Sequence, residues 1–392
     1  MIWRLAKIGA TIGVIITMSC SERNMRSLHE QAIVADMHCD TALRLLGGRE
    51  LARADSAGHV DLDKMKKGGV DLQVFACWIP TDTPAGSRRA KVDEMLDSLY
   101  RQIENNSDRI AVCADAAAAR KIIESGRVAA LPAIENGVAI ENNLDNLDHF
   151  YRRGVRCLTL THTSSNDWCI SSADTSPAFD GLTPFGRKVI ERMNDLGMII
   201  DVSHAHPATV REVLRLSRHP IIASHSCART ICDHDRNLTD DQIKAIAAGG
   251  GVIGINFFCG YLSQKWSETV DSFTAAHKAE IDSIRERFKD DRQERHKALA
   301  GVFALMDSAV AGIKVDVALV VDHIDHMVKL VGADYVGLGS DFDGVYRLPQ
   351  GLSDCSMLPN ITAELVRRGY SEADIAKILG GNFMRVFAAV CR

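Results

Sequence analysis

The sequence predicts an α/β protein organised as a closed parallel (β/α)8 barrel of the TIM type. Three observations carry this. Eight short apolar runs lie near 33–37, 70–77, 127–134, 155–161, 197–202, 220–224, 250–257 and 334–339. The segments between them are long enough for crossover helices, as successive parallel strands require. Several runs are apolar almost throughout, the pattern of strands covered on both faces.

Taken from the amino terminus, the first element is not part of the barrel. Arg4 and Lys7 precede an uncharged, mostly apolar stretch at 8–18, and Cys20 follows. That is the layout of an export signal, shorter than the ~20 residues of a spanning helix. A cysteine in that place resembles the lipidation site of bacterial lipoproteins, although Thr17 and Met18 depart from the usual pattern. A plain signal peptide or an uncleaved anchor remains the alternative. Residues 1–20 are therefore expected as a signal peptide, 21–30 as an N-terminal tether and 31–392 as one barrel domain. The expected location is the bacterial cell envelope, as a lipoprotein facing the periplasm, with the outer leaflet as one placement.

Among the connections, 186–196 ends at Gly197 and 207–218 runs into Pro220, which are helix stops before the next strands. Segment 262–300 is long, charged and helix-compatible, so a helical excursion near the barrel mouth is expected there. Segments 362–368 and 371–379 read as a terminal helical pair closed by Gly380 and Gly381.

Composition narrows the partners. The chain has 392 residues, 46% hydrophobic and 25% charged, with a net charge of -5 from 46 basic and 51 acidic side chains. No basic block stands out, so nucleic acid is not an expected partner. The 11 cysteines are scattered, mostly within apolar segments, and form no close-spaced ligand set. Buried thiols explain most of them, with a Cys232–Cys259 disulfide as one expectation for an oxidising compartment.

The ionisable residues fall where such a barrel does its chemistry. His38 and Asp40 follow the first run, Glu135 the third, His162 the fourth, His204 the fifth, His225 the sixth and Asp341 the last. In a parallel barrel those carboxyl ends converge on one face. The His-x-Asp pair points two side chains the same way along an extended segment, so an imidazole and a carboxylate can hold one ion. His204 and His225 suit a second ion, and Glu135 can bridge the two at about 3.5–4 Å. Taken singly, each has an ordinary structural reading; their recurrence at successive strand ends favours a metal site. His162 is placed to donate to an oxyanion, Arg236 to hold a carboxylate as a two-pronged donor, and Asp341 to move a proton or meet an ammonium group. Asp343 rivals Asp341, His206 rivals His204, and His234 is a further candidate for the pocket lining. Ser224 and Ser226 sit in no nucleophile elbow. His323 and His326 lie on a crossover helix and read as packing residues.

The segments VVDHIDHMVKLVGADYVGLGSDFDG, RCLTLTHT, GMIIDVSHAH, PIIASHS and GGNFMRVF resemble the membrane dipeptidase family, also called renal dipeptidases, zinc metallopeptidases related to the amidohydrolase barrels. The resemblance covers roughly 30–388. The first motif, VADMHCDTAL, has Cys39 where asparagine is common, and that side chain points away from the ligands. The resemblance implies a metallo-dipeptidase with two zinc ions per chain, other divalent ions being open. His38, Asp40 and Glu135 would hold one ion, and Glu135, His204 and His225 the other. A hydroxide bridging them would attack the peptide bond of a free dipeptide, L,L and L,D, with His162, Arg236 and Asp341 binding the substrate. Phe257 and Phe258 stand where the family often has a tyrosine that helps bind the carboxylate, so a more apolar pocket is expected. Vertebrate members are lipid-anchored dimers, which leaves a homodimer open; the terminal AAVCR has no apolar tail for their type of anchor. Another binuclear amidohydrolase, acting on N-acyl amino acids, cyclic amides or lactones, is the nearest alternative. A scaffold without turnover would be expected to lack a ligand, and none is missing.

Overall fold

The computed structural model describes residues 20–289 and 291–392. The expected export signal and the lipid on Cys20 fall outside what these residues show. Among the described residues, nine strands form one sheet in which every pairing is parallel: β1 Val34–Cys39, β2 Val70–Trp78, β3 Ile110–Val112, β4 Val128–Glu135, β5 Cys157–Thr159, β6 Ile199–Asp201, β7 Ile222–Ala223, β8 Val252–Ile255 and β9 Val336–Leu338. Their order is β2-β1-β9-β8-β7-β6-β5-β4-β3, and a further β2–β4 pairing, from Leu72↔Ala129 to Trp78↔Glu135, closes the barrel.

All eight expected strands are present, and β3 is additional. It pairs only with the first half of β4, from Ile110↔Val128 to Val112↔Ala130, while β5 takes the second half, from Ala133↔Cys157 to Glu135↔Thr159. β3 is therefore a flap beside an eight-stranded barrel. Five of these eight strands end before their apolar runs do, the last residues bending into loops, whereas β1, β2 and β4 run past theirs, so that His38 and Glu135 lie on the strands themselves.

The buried core has two main parts. Met37, Leu72, Val74, Leu131, Ile199, Ile222 and Val252 cluster with Phe383 and Phe387 of the helix Asn382–Val390. A larger cluster joins the strands to the surrounding helices. Glycine permits the closest approaches, since a Cβ at Gly254 or Gly339 would overlap the Ser224 carbonyl oxygen.

The helix signals hold in their places. Pro184–Leu196 is capped by Thr183 and ends at Gly197 with φ 68°, a left-handed conformation that suits glycine. Pro207–Leu216 and Pro359–Arg367 match their expected segments within a few residues. The excursion consists of Gln264–Ala276, Lys278–Arg287 and Arg292–Val310, extending beyond the expected boundary at 300. It has a small core of Ile281, Leu299 and Val302, and an Arg347–Asp307 ion pair of 2.7 Å ties it to the loop after β9. The segment assigned as a tether lies within the helix Cys20–Gln31. That helix docks through buried His29, whose ring nitrogens lie 2.7 Å from Thr362 Oγ1 and 2.9 Å from the Gly68 carbonyl.

The ten cysteines from Cys39 to Cys391 are buried free thiols, so the expected Cys232–Cys259 bridge is corrected. Cys232 Sγ instead lies 3.5 Å from the Gly260 carbonyl oxygen.

Candidate metal centre

The barrel brings His38, Asp40, Glu135, His162, His204, His225 and Asp341 together at the carboxyl ends of six of its strands and their loops. Three overlapping groups of ligand atoms lie within 4.8 Å of one another: His38 with Glu135 and His225, Glu135 with His162 and His204, and His38 with Asp40 and Asp341. Glu135, the last residue of β4, is shared by two of these groups. Its Oε2 lies 3.6 Å from His38 Nε2, and its Oε1 lies 3.0 Å from His204 Nε2 and 3.5 Å from His225 Nε2. Asp40 Oδ2 is 3.6 Å from His38 Nε2 on the first side.

These donors fit a pair of divalent ions. His38 Nε2 and Asp40 Oδ1 are buried without a hydrogen-bond partner, an expensive state unless a cation accepts their lone pairs. His204 Nε2 and His225 Nε2 face each other at 3.0 Å, beside a carboxylate oxygen. Bare nitrogens so close repel unless a cation or a proton lies among them. Space is reserved as well, because a Cβ at Gly344 would overlap carboxylate oxygens of Asp40 and Asp341.

The electrostatics follow from that crowding. Burial lowers His204, helped by Arg236, and lowers His225, helped by His38; both are held neutral, the ligating form. Burial would raise Glu135, but His38 first, then His162 and the close His204 and His225 rings, hold it well below the carboxylate range. Burial, with the adjacent Glu135 charge, pushes Asp40 up to about 8. Burial works against the charged form of His38, yet Glu135 and Asp40 drive it well above the usual imidazole value. A cation placed among these groups would relieve the repulsion and the unmet charge together.

Buried carboxylates brace the loops below the cluster, and one of them reaches a cluster imidazole through a serine. Asp201 accepts from Thr159 Oγ1 at 2.5 Å, Ser224 Oγ at 2.6 Å and the amides of Ser203 and Ser224, both at 2.9 Å. Ser224 Oγ, its proton given to Asp201, is 2.7 Å from His225 Nδ1 and can accept from it. That chain places the ring proton on Nδ1 and leaves Nε2 bare toward Glu135. Asp36 plays the matching part at β1, accepting from Ser340 Oγ at 2.6 Å and Gln73 Nε2 at 2.9 Å. His204, Asp341, Asp343 and Asn136 all have φ between 62° and 87°. Left-handed backbone at non-glycine residues costs about 1–3 kcal/mol each and gathers at functional sites.

The cavity above the cluster measures ≈ 400 Å³ and is lined by Asp40, Glu135, His162, His204, Asp341 and Tyr261, with Trp78, Phe258 and Tyr346 among its apolar walls. That volume suits a small ligand. A larger cavity of ≈ 740 Å³ lies beside Met25 and Met357, away from these groups. His162 Nε2 is 3.8 Å from Glu135 Oε1, and burial lowers its pKa. Asp341 accepts from Asn256 Nδ2 at 2.8 Å. Its rival Asp343 is spent on the scaffold: it accepts from Thr41 Oγ1 at 2.8 Å and from the His59 amide at 2.8 Å.

Arg236 is set back from the cavity. Its guanidinium donates to the His225 carbonyl at 2.9 Å and lies 5.3 Å from the Tyr261 ring centroid, with buried Nε unpartnered. His206 caps the helix Pro207–Leu216, accepting from the Ala208 amide at 3.2 Å. His234 accepts from the Arg236 amide at 3.0 Å. His323 is a packing residue, bonded to the Ala228 amide and the Leu262 carbonyl, both at 3.0 Å. Asn256, Tyr261, Trp78, Tyr346 and Gly344 were not singled out by sequence reasoning. Asn256 and Tyr261 flank the Phe257–Phe258 pair that marked this wall, and Tyr346 follows the Asp341 motif.

The model of the peptidase family M19, "Membrane dipeptidase", matches residues 22–392. Dipeptidase 3 of Rattus norvegicus is 31% identical over 338 residues, covering 85% of this chain and 59% of that protein. The chain thus spans less than two thirds of the length of this relative. The probable dipeptidase PvdM of Pseudomonas aeruginosa superposes with a TM-score of 0.79 at 31% identity, covering 94% of this chain and 98% of that one. A metallo peptidase of Rhodobacter sphaeroides, liganded with a phosphinate mimic of the dipeptide L-Ala-D-Ala, gives 0.74 at 26% identity, covering 92% of this chain and 100% of that one.

Proposed function

Since the chain belongs to the membrane dipeptidase family, we propose that it hydrolyses the peptide bond of free dipeptides, L,L and L,D, with two zinc ions bound at the barrel mouth. The observation that carries this is the division of Glu135, one carboxylate oxygen facing His38 and the other facing His204 and His225. His38, Asp40 and Glu135 would hold one ion, and Glu135, His204 and His225 the other. Such a pair supplies Lewis acidity and a water that is nucleophilic at neutral pH.

The chain's own residues do the rest. Thr163 Oγ1, 3.2 Å from His162 Nδ1, can donate there, so that Nε2–H points at the developing oxyanion. Asp341, oriented by Asn256, takes the proton of the attacking water and passes it to the leaving amine, or meets the substrate ammonium. Arg236, with a donor unspent, faces the substrate carboxylate from beside Tyr261.

Zinc-loaded protein should cleave free dipeptides and leave matched tripeptides, N-acetylated dipeptides and C-amidated dipeptides largely intact, with activity lost on chelation. Preferential cleavage of N-acyl amino acids would replace the dipeptidase reading with the amidohydrolase one. The signal layout at 1–20 supports an envelope lipoprotein; palmitate labelling of cells expressing the full chain should disappear in Cys20→Ser.

A further inference from the structure

Building on the dipeptidase reading, we infer that the cavity selects dipeptides whose C-terminal residue carries a large apolar side chain, aromatic above all. The carrying feature is a wall of rings on one side of the site. Phe258 lines the cavity and packs against Tyr346 at 5.3 Å, Trp266 at 5.3 Å and Tyr261 at 4.9 Å between centroids. Tyr346 is 57% exposed, yet Trp266 supports it at 6.3 Å, so its outer face is held ready over the opening. An aromatic surface fixed by its neighbours and left open gains by being covered, and its ordering cost is already met in the free protein.

The wall lies at the carboxylate end of the site. Tyr261 stands on the short helix Cys259–Leu262 directly after Phe258, and its ring is the one beside the Arg236 guanidinium. A substrate whose carboxylate points toward Arg236 therefore lays the side chain of that same residue along Phe258 and Tyr346. Polarity selects in the same direction: among the described residues the cavity is lined by no lysine or arginine, so an acidic side chain laid along this wall would find no cationic side chain to pair with.

The test compares kcat/KM for Ala-Phe, Ala-Leu, Ala-Gly, Ala-Asp and the reversed Phe-Ala and Gly-Ala, using the zinc-loaded protein. Ala-Phe should exceed Ala-Gly by roughly tenfold or more, the scale set by partial burial of a ring, with Ala-Leu between them and Ala-Asp below Ala-Gly. The Ala-Phe to Ala-Gly ratio should fall about fivefold or more in Tyr346→Ala and persist in Tyr346→Phe. A ratio does not depend on how much of a variant is folded. Equal rates for Ala-Phe and Ala-Gly, an unchanged ratio in Tyr346→Ala, or a preference appearing only between Phe-Ala and Gly-Ala would overturn the inference and leave the dipeptidase reading standing. Cleavage of none of these dipeptides by protein with bound metal would overturn the dipeptidase reading and this inference with it.

Discussion

Glu135 divides its two oxygens between His38 on one side and His204 and His225 on the other, and the His225 ring is fixed by groups one layer further down. The link runs from Asp201 through the Ser224 hydroxyl to His225 Nδ1, at 2.6 and 2.7 Å. Ser224→Ala removes the group that fixes the His225 tautomer while leaving Glu135 and His204 in place. Zinc affinity is expected to fall about 10–100-fold, measured by competition with a chelating dye; unchanged affinity would show that the ring is oriented without the serine. The residues that meet in the cluster were legible in the sequence because each is an ionisable side chain within a few residues of the end of an apolar run. Asn256 and Tyr346 were not, since an amide and an aromatic ring carry no such mark and gain their place through contacts with Asp341 and Phe258. The setback of Arg236 was also unreadable, because it depends on the Tyr261 ring folding beside it.

Between elements, the strand ends approach closely because glycines stand where they nearly touch. A methyl at Gly339 would overlap the Ser224 carbonyl, which is backbone and has little room to yield. Gly339→Ala should therefore cost about 3 kcal/mol or more, at the upper end of overpacking effects, in reversible urea unfolding. On the outer shell, Glu364 accepts from Arg367 at 2.6 Å and from Arg368 at 2.8 Å, and these bonds hold its carboxyl down to about 2. The folded value is below the unfolded value, so the stabilisation is present above about pH 4.5 and is lost as pH falls toward 2. Glu364→Gln should flatten that part of the stability curve followed by circular dichroism. The eight barrel strands were legible from their apolar runs, whereas β3 was not: it is three residues long and is held by pairing with half of β4. The helix Cys20–Gln31 was hidden for a related reason, since its mostly polar sequence docks through one buried histidine.

For the molecule as a whole, closure of the sheet through β2 and β4 makes residues from 38 to 341 neighbours, so the metal cluster and the barrel form each other's support. Bound ions should therefore stabilise the entire fold. Zinc at 100 times its dissociation constant would add about 2.7 kcal/mol, and chelation should lower the melting temperature in proportion, reversibly on adding zinc back. The most direct test is a crystal of the zinc-loaded protein measured at the zinc absorption edge. Two anomalous peaks should flank the Glu135 carboxylate, one between His38 and Asp40 and the other between His204 and His225. A single peak, or peaks away from Glu135, would contradict the two-metal account.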